Sequence, residues 1–465
     1  MKKIIILGAG ITGLSAAWKL SEKKHDVLVI DKDHQVGGLA KTIKFNNNYV
    51  DIGPHSFFSE DKEIFDTVKS LFDDNPKKIF KVERSVKMFF MNHYVDYPLS
   101  AKSILFQMGP IIPILCFLSF LKSFTSTSLN SILNKQQKNI DQITIKEWAT
   151  NNFGSYLYNN FFKPYTEQFW KLKTEDLSHQ VIPASKKLDF VKTLKHLFIN
   201  KYLEISKREP GSLNLVQRES LPTFYPEKGF GVIAEKIAEK IKSNGSRINL
   251  SENITKVKKL NDKSFEIITN KESYKSDIII STLPLDNFIK ITEPFNENEK
   301  LINHSKELQY LALVMVYLII KKKNILGCQY CYFLNRPYNR VSNLNSFSEK
   351  VSSSDRNIIS LEISCHKNSE MWNRSENEIY HNCLESLKKD KLLSDEDILE
   401  WKVIKVPNVY PIYKINYEKN LNFTLNEINK VNNLYSIGRL GQFYYGDIDQ
   451  MMRLGFDVSK KILKN

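Results

Sequence analysis

Short apolar runs and helical patterns alternate at the start of the chain. Residues 4–7 form an apolar run that enters a glycine-rich turn, and the residues after the turn are apolar at helical spacing. A second apolar run, 27–30, ends at Asp31. Runs of this length predict buried strands, and the spacing between them predicts a helix. The order strand, turn, helix, strand is typical of a β–α–β unit in a parallel sheet.

The rest of the chain contains further helix and strand patterns. An amphipathic helix is predicted over 229–241, and a strand, a glycine turn and a helix are predicted over 432–462. Short strands are predicted between these two stretches at 247–250, 254–260, 264–269 and 277–282. Longer strands, which would form a sheet over a substrate cleft, are predicted at 310–320, 358–364 and 401–410. Helices mixed with both kinds of strand predict an α/β fold.

These changes of pattern divide the 465-residue chain into five segments. Residues 96–205 are mostly helical by pattern, and residues 286–430 contain the longer strands. The other three segments, 1–95, 206–285 and 431–465, are predicted to form one discontinuous nucleotide-binding domain. The predicted architecture is an α/β Rossmann domain with a helical insertion and a mixed-sheet substrate domain.

The glycine turn has the spacing G-x-G-x-x-G at Gly8, Gly10 and Gly13. Gly8 allows the tight turn out of the strand, Gly10 lets a pyrophosphate approach the backbone, and Gly13 lets the helix pack on the strand. Unpaired N–H groups at the helix N-terminus attract the same pyrophosphate. Asp31 lies where an acid accepts hydrogen bonds from ribose hydroxyls. The segment predicts a dinucleotide site and leaves NAD and FAD as alternatives.

Two more glycines, Gly37 and Gly38, follow Asp31 in the sequence DKDHQVGGLAKT. This stretch resembles the extended FAD fingerprint of the glutathione-reductase-like flavoproteins, in which an acid and a following Gly-Gly pair complete the adenosine site. Asp31 stands where that family usually has glutamate. The resemblance implies a glutathione-reductase-like FAD-binding fold, and it adds Gly38 to the cofactor site.

Charge and cysteine content narrow the partners and the compartment. The formal net charge of +15 favours anionic partners, although a chain rich in Lys, Ile and Asn also fits a biased genome composition. No basic run with interleaved aromatic residues stands out, which argues against nucleic acid. Five scattered cysteines favour reduced thiols and a cytoplasmic location. Cys328 and Cys331 form an isolated C-x-x-C pair, where free thiols rather than a metal site are expected.

Residues 104–121 form an apolar stretch long enough to suggest a membrane segment. Gln107, Gly109, Pro110 and Pro113 interrupt a continuous spanning helix. A helix pair that is buried or dips into a surface is therefore favoured over a true span, and peripheral membrane contact is left open. The sequence does not indicate an oligomeric state.

Four stretches spread along the chain resemble one group of flavoproteins. YVDIGPHSFF (49–58) is similar to a loop on the flavin side, and 153–178 is similar to a segment with the pattern Lys-x-Tyr-Thr-x-x-x-Trp. VYPIYKINY (409–417) resembles a Tyr-Pro stretch before the last strand. GRLGQFYYGDID (438–449) resembles a closing motif, with Asp447 where asparagine is usual. Together they resemble the FAD-dependent amine-oxidase and protoporphyrinogen-oxidase-like superfamily, and within it the UDP-galactopyranose-mutase-like branch.

The resemblance implies roles for residues outside the glycine turn. The implied catalytic residues are His55, Arg439 and Arg340, the last placed by its position in RPYNR (336–340). Further cofactor contacts are implied at Gly438 and Asp449. The implied substrate-binding residues are Trp170, Tyr410 and Tyr445. Arginine suits a diphosphate through its fork of N–H donors, and tyrosine hydroxyls can donate to the same group.

The resemblance implies an enzyme that acts on a small molecule, and two reactions are open. In the mutase-like branch, N5 of the reduced flavin serves the pyranose–furanose interconversion of a UDP-sugar, for cell-surface polysaccharide precursors. In the amine-oxidase, protoporphyrinogen-oxidase and desaturase types, FAD takes a hydride from the substrate. Tyr410, Tyr445 and Arg439 favour a diphosphate and therefore a nucleotide sugar, whereas an aromatic cage would favour an amine. A flavin-binding scaffold without turnover is the third alternative.

Overall fold

The fold is that of a computed structural model, which describes residues 2–97, 107–109, 111–133, 139–182, 221–321 and 325–464. For residues 124–133 it describes the backbone alone. The strands in these ranges, numbered along the chain, are β1 Lys3–Leu7, β2 Asp26–Ile30, β3 Thr42–Phe45, β4 Asn48–Asp51, β5 Ile79–Lys81, β6 Val86–Phe90, β7 His93–Asp96, β8 Phe224–Pro226, β9 Arg247–Asn249, β10 Ile254–Lys259, β11 Phe265–Thr269, β12 Ser273–Ser276, β13 Ile278–Ser281, β14 Tyr310–Lys321, β15 Tyr330–Phe333, β16 Arg340–Asn343, β17 Arg356–Cys365, β18 Ile398–Pro411 and β19 Leu434–Ser436.

The α-helices in the same ranges are α1 Ile11–Ser21, α2 Lys62–Ser70, α3 Ile111–Leu133, α4 Ile145–Leu157, α5 Lys163–Trp170, α6 Val232–Ser243, α7 Leu285–Ile291, α8 Glu299–Lys306, α9 Glu370–Asn373, α10 Glu376–Lys389, α11 Tyr417–Asn429, α12 Gly438–Gly441 and α13 Ile448–Lys464. One π-helical turn, Tyr158–Phe162, joins α4 to α5. Side chains that accept hydrogen bonds from the first backbone N–H groups fix the starts of α2, α4 and α10, at Asp61, Thr144 and Ser375.

The first large sheet is parallel, with the strand order β19, β13, β1, β2, β9. Its strands come from the start of the chain, from 247–281 and from 434–436. The residues of β13 are buried throughout, as are all but the first residues of β1 and β2, which explains why these runs are continuously apolar. The glycine turn lies at the carboxyl end of the central strand β1, where α/β folds bind ligands. The predicted discontinuous Rossmann fold is confirmed.

The second large sheet is mixed, with the strand order β18, β14, β17, β16, β15, β6, β7. Its pairs are antiparallel except β15 with β6, which is parallel. The three long strands predicted beyond residue 300 are β14, β17 and β18, and β14 lies between the other two. Helices α3, α4 and α5 come between β7 and β8 along the chain. The predicted helical insertion and mixed sheet are therefore present.

The two ends of the described chain pack on each other in the parallel half. A Cβ on Gly455 of α13 would lie 2.6 Å from the carbonyl oxygen of Thr12 in α1. Gly438 has a φ of +88°, and a Cβ there would lie 3.0 Å from Thr12 Oγ1. Because of these close approaches, the turn at Gly10 and the helix that contains Asp449 belong to one lobe.

The apolar stretch 104–121 lies partly outside the described residues. Residues 111–133 form the single helix α3, with Pro113 in its first turn, where a missing N–H group costs little. Large apolar side chains of α3 between Ile111 and Leu121 are exposed. None of the helices described is long and apolar enough to cross a membrane.

Candidate functional site

The glycine turn is packed so closely that side chains are excluded at two of its three glycines. Gly8 has a φ of +108°, and a Cβ there would lie 2.2 Å from Thr282 Oγ1. A Cβ on Gly13 would lie 2.2 Å from the carbonyl oxygen of Gly8. Gly10 differs, because a Cβ there would meet no described atom within 4 Å. The space beside Gly10 is the space that a pyrophosphate needs at the N-terminus of α1.

The Asp31 carboxylate ties this turn to the loop that follows β2. Its Oδ2 accepts a hydrogen bond from the backbone N of Ala9 at 2.6 Å, and its Oδ1 accepts one from the backbone two residues on. A carboxylate has about four acceptor positions, so positions remain for ribose hydroxyls. The backbone N of Gly37 donates to Ala9 O at 2.8 Å, and a Cβ on Gly38 would lie 3.1 Å from Gly10 Cα. The two glycine motifs are therefore packed against each other.

A cleft of about 1240 Å³ starts at the glycine turn and is lined by residues of both large sheets. The predicted site residues that line it are Gly8, Gly10, Asp31, Gly38, His55, Gly438 and Arg439. The other basic side chains of the lining are Lys32, Lys41, Lys290, Lys306, Lys367 and Lys405, whereas its carboxylates are Asp31, Asp33 and Asp286. This excess of basic side chains favours an anionic ligand.

His55 lies close to two arginines, Arg439 and Arg340, that come from distant parts of the chain. Burial, followed by the positive charges of Arg439 and Arg340, lowers the pKa of its imidazole to about 3. The imidazole is therefore neutral at physiological pH. Its Nδ1 is buried and has no hydrogen-bond partner within the part of the chain that the structure describes. A buried polar atom of this kind is expected to bond to a ligand, because leaving it unpaired is costly.

Arg340 forms a bidentate ion pair with Glu362, which sequence reasoning missed. Nε and Nη2 of Arg340 donate to the two carboxylate oxygens of Glu362 at 2.6 and 2.8 Å. The two residues face each other across β16 and β17, and both side chains are largely buried. A signal was present in the sequence, because Glu362 is the one charge in the apolar run IISLEIS. A carboxylate in a fully buried strand predicts a buried cationic partner.

Arg439 lies against a group of aromatic rings that includes the predicted substrate residues. Its guanidinium is 5.8 Å from the ring centre of Tyr410 and 5.6 Å from that of Tyr445. The two tyrosine rings are 5.4 Å apart, and Trp170 packs edge-on against both of them. Nη2 of Arg439 donates to Gly446 O at 2.6 Å, which fixes the guanidinium in place. The structure thus brings the predicted substrate residues together beside Arg439.

A second group of tyrosines, not anticipated from the sequence, surrounds the other arginine. Arg340 lies 5.0 Å from the ring centre of Tyr330 and 5.6 Å from that of Tyr332. Tyr332 in turn packs against Tyr97 and Tyr165. Burial raises the pKa of the Tyr165 hydroxyl, so this hydroxyl is protonated. Tyrosines therefore surround both predicted arginines, and of these two arginines Arg439 lines the cleft whereas Arg340 does not.

Asp449 is buried at the start of α13 and is engaged with the protein. Its Oδ2 accepts a hydrogen bond from Ser59 Oγ at 2.8 Å, and its Oδ1 accepts one from the backbone N of Gln450 at 2.9 Å. Its neighbour Ile448 lines the cleft. The cofactor contact at Asp449 stays a prediction, because its carboxylate is bonded to the protein and Asp449 is not among the residues that line the cleft.

The isolated pair Cys328 and Cys331 lies outside this site. Both thiols are free and buried, and burial raises the pKa of each thiol. Cys331 is part of β15, and its side chain belongs to the core beneath the mixed sheet. The pair is therefore structural, as the isolated motif predicts.

The shape and the donor set of the cleft fit FAD on three observations. Open space at Gly10 accommodates the pyrophosphate, Asp31 retains acceptor positions for a ribose, and Nδ1 of His55, a lining residue, is a buried polar atom without a bond to the described protein. The basic lining suits the charge of the pyrophosphate. These observations concern the described residues and require no change in their positions.

Comparisons with known proteins agree with this interpretation. Residues 11–408 match the family described as flavin containing amine oxidoreductase. A 1-hydroxycarotenoid 3,4-desaturase of Flavobacterium sp. (strain P99-3) is 22% identical over 298 residues, which cover 61% of this chain and 57% of that protein. The chain therefore matches little more than half the length of that relative.

Solved structures show the same fold. Reduced UDP-galactopyranose mutase superposes with a TM-score of 0.81 at 20% identity, covering 100% of this chain and 96% of that one. Wild-type putrescine oxidase bound to putrescine superposes with a TM-score of 0.65 at 14% identity, covering 100% and 99%. At these identities the likeness concerns the fold alone. Because the family match spans most of its length, the chain belongs to the flavin containing amine oxidoreductase family and is an FAD-dependent enzyme.

Proposed function

We propose that this enzyme interconverts the pyranose and furanose forms of a UDP-sugar, for the synthesis of cell-surface polysaccharide precursors. The observation that carries the proposal is the grouping of Arg439, which lines the cleft, with the tyrosines Tyr410 and Tyr445. The fold likeness to reduced UDP-galactopyranose mutase supports the same branch. The excess of basic residues along the cleft also favours a substrate with a diphosphate.

The Arg439 group has the donors that a diphosphate requires. Arginine presents a planar fork of N–H donors, and one arm of Arg439 is already held in place by Gly446 O. Burial, followed by the nearby Glu362 carboxylate, raises the pKa of the Tyr410 hydroxyl. This hydroxyl therefore stays protonated and can donate a hydrogen bond. Charge-assisted bonds of this kind are stronger than bonds between neutral groups.

The other residues orient the reactants. When bound, the flavin supplies the nucleophilic nitrogen for ring interconversion. Neutral His55 offers a hydrogen bond without adding charge beside the flavin. Arg340 is neutralised by Glu362, so it can orient a hydroxyl or a phosphate oxygen with little change in the charge of the site. The tyrosines around Arg340 would exclude water from the sugar, which strengthens these interactions.

The proposal is tested with the purified, flavin-loaded protein under anaerobic conditions. The flavin is reduced with dithionite, UDP-galactofuranose is added, and the products are separated by chromatography. We expect UDP-galactopyranose to appear without net oxidation of the flavin. Reduced protein that leaves both ring forms unchanged would contradict the proposal.

Matched tyrosine variants locate the substrate. Tyr410→Phe and Tyr445→Phe each remove one hydroxyl from the Arg439 group, and we expect both to weaken UDP binding measured by calorimetry. Tyr380→Phe is the control, because Tyr380 stacks on Trp401 in a different part of the molecule. Equal UDP affinity in all three variants would place the diphosphate elsewhere.

An FAD-dependent oxidoreductase is the second candidate. The observation in its favour is the group of tyrosines around Arg340, together with the match to a protein named as a carotenoid desaturase. This function predicts that the oxidised enzyme is bleached by an amine, a porphyrinogen or a polyene. Such bleaching, without ring interconversion of a UDP-sugar, would establish the oxidoreductase instead of the mutase.

A further inference from the structure

Helix α3 carries an unusual concentration of exposed apolar side chains. Among the described residues, thirteen large hydrophobic side chains are exposed, and six of them lie between positions 111 and 121. These six are Ile111 (69% exposed), Ile114 (58%), Leu115 (39%), Phe117 (58%), Leu118 (57%) and Leu121 (42%). A contiguous apolar patch of this kind on a protein surface marks a place of contact with another molecule or a membrane.

The six side chains share one side of the helix. At about 100° per residue they cover an arc of roughly 160°. The opposite side is fixed to the protein, because Ser119 Oγ accepts a hydrogen bond from the backbone N of Tyr156 at 2.8 Å. A Cβ on Gly154 would lie 2.7 Å from the backbone of Ser119 and Phe120, so α3 and α4 touch along their backbones. The helix is therefore held in one orientation, with its apolar arc pointing away from the protein.

The charge of the surrounding sequence identifies the surface that this arc fits. Between Asp96 and Asp141 the sequence contains four lysines and no acidic residue. The whole chain has a formal net charge of +15. A surface helix with a broad apolar face suits the headgroup region of an anionic bilayer when it contains a lysine, as α3 does at Lys122, and when the flanking sequence adds lysines without acidic residues.

We propose that α3 docks this enzyme, by its outward apolar face, on the surface of a bilayer that contains anionic phospholipid. The helix would lie in the plane of the interface, with its six apolar side chains among the upper acyl chains. The proposal does not depend on which substrate the enzyme uses.

The inner side of α3 packs on the same part of the protein core as the tyrosines around Arg340. On the inner side of α3, Ile112 and Cys116 pack against a core cluster that includes Phe90. Tyr165 and Tyr332 pack against the same cluster, and Tyr332 contacts Arg340. The inner side of α3 and the tyrosines beside Arg340 therefore pack against the same core cluster.

The test uses the full-length, flavin-loaded protein and lipid vesicles. Binding is measured by flotation with vesicles of pure phosphatidylcholine and of an equimolar mixture with phosphatidylglycerol. We expect binding to the anionic vesicles, and weaker binding at high salt because the lysines are screened. Failure of the wild-type protein to bind the anionic vesicles would overturn the proposal.

A pair of matched double variants distinguishes docking through α3 from nonspecific adsorption to vesicles. Ile114→Glu with Leu118→Glu places two charges on the arc, and we expect vesicle affinity to fall about tenfold or more. Leu399→Glu with Leu463→Glu is the control, because these leucines are 41% and 38% exposed elsewhere. Equal binding by both double variants would overturn the proposal. A wild-type dimer that the first variant converts to a monomer, without vesicle binding, would show that a second copy of the chain covers α3 instead.

Discussion

The two large sheets hold the candidate site by different means. On the parallel sheet the site is made of backbone, since Gly8 and Gly13 exclude side chains and Asp31 accepts hydrogen bonds from backbone N–H groups. On the mixed sheet the site is made of side chains, since Arg340 pairs with Glu362 across two strands. The site on the parallel sheet depends on glycines that leave no room for a side chain. The site on the mixed sheet depends on the balance of charge between an arginine and a glutamate.

This difference explains how one fold serves several reactions. A backbone cradle binds the same cofactor whatever the substrate is, because its geometry does not depend on particular side chains. A side-chain wall can change its chemistry by single substitutions without altering the fold. The solved structures with this fold, a mutase and an amine oxidase, share at most 20% identity with the chain. The fold is common to all of them.

Gly13→Ala is expected to have the largest effect, because its methyl group would lie 2.2 Å from the Gly8 carbonyl oxygen. The turn must open, so we expect the free energy of unfolding to fall by about 3 kcal/mol or more and FAD binding to be lost. Gly10→Ala adds the same methyl group where no described atom lies within 4 Å. It should leave the stability of the FAD-free protein unchanged and weaken FAD binding alone. Urea unfolding and flavin titration measure both, and equal losses of stability would contradict the backbone interpretation.

Glu362→Gln tests charge balance on the mixed sheet. The substitution leaves the Arg340 guanidinium buried without its carboxylate, and we expect a loss of about 3–5 kcal/mol in the free energy of unfolding. The double variant Arg340→Met with Glu362→Leu removes both charges and should recover most of that stability. Urea unfolding measures the three proteins. A double variant less stable than Glu362→Gln would show that the pair contributes more than charge compensation.

Arg439→Lys tests whether the group of Arg439, Tyr410 and Tyr445 recognises a diphosphate. Lysine keeps the charge but loses the planar fork, so we expect kcat/KM for the UDP-sugar to fall about 10²-fold. Arg336→Lys is the matched control, because Arg336 pairs with Asp390 at 2.6 Å outside the cleft lining. Steady-state kinetics on both variants decide the point. Similar kinetics for the two variants would remove Arg439 from the substrate site.

Asp51→Asn tests the contact between the β3–β4 hairpin, which ends at Asp51, and the mixed sheet. The Asp51 carboxylate accepts hydrogen bonds from Thr42, Tyr225 and the backbone of Phe230, and its own carbonyl accepts one from Tyr317 of the mixed sheet. Burial raises the pKa of this carboxyl to about 6 despite those donors.

The sign of the expected pH effect follows from that shift. The stability contributed by protonated Asp51 is present below the unfolded pKa of about 3.9 and is lost as the pH rises through 6. Relative to Asp51→Asn, the wild-type protein should therefore lose up to about 3 kcal/mol between pH 4 and pH 7. Thermal unfolding of both proteins across this range measures the difference. A difference that stays constant with pH would show that the carboxyl does not titrate there.

The smallest effect is expected for the cysteines. Cys328→Ala with Cys331→Ala should leave turnover unchanged, because both thiols are buried away from the cleft. In the wild-type protein, burial raises the pKa of both thiols, so a thiol reagent should react with them slowly until urea is added. Rapid modification of the native protein at these positions would contradict a structural role.

Several strands and the glycine turn could be predicted from the sequence. The runs predicted at 254–260, 264–269 and 277–282 correspond to β10, β11 and β13 within one residue at each end. The glycine turn could be predicted because close packing at Gly8 and Gly13, and the open space that a pyrophosphate needs at Gly10, each favour glycine. These features are visible as short local patterns, although the packing of Gly8 against Thr282 joins distant parts of the chain.

The side-chain half could be predicted only in part. Arg439, Tyr410 and Tyr445 were named through motifs, whereas Glu362 and the tyrosines around Arg340 were not. Those contacts depend on the register of β16 against β17, which joins residues 22 positions apart, and on the pairing of β15 with β6. Sheet order is long-range information that local patterns do not contain. The predicted segment boundary at residue 95 stays a prediction, although β6 lies before it, β7 crosses it, and both strands belong to the mixed sheet.

The packing of α13 on α1 has a consequence for biosynthesis. The ribosome releases the glycine turn first and releases β19 and α13 hundreds of residues later. Until then, α1 lacks the helix that packs against it through Gly455, and one side of the FAD site is missing. We therefore expect nascent chains stalled before residue 434 to emerge colourless and to be open to proteolysis. Acquisition of the yellow cofactor would report that translation has passed this point.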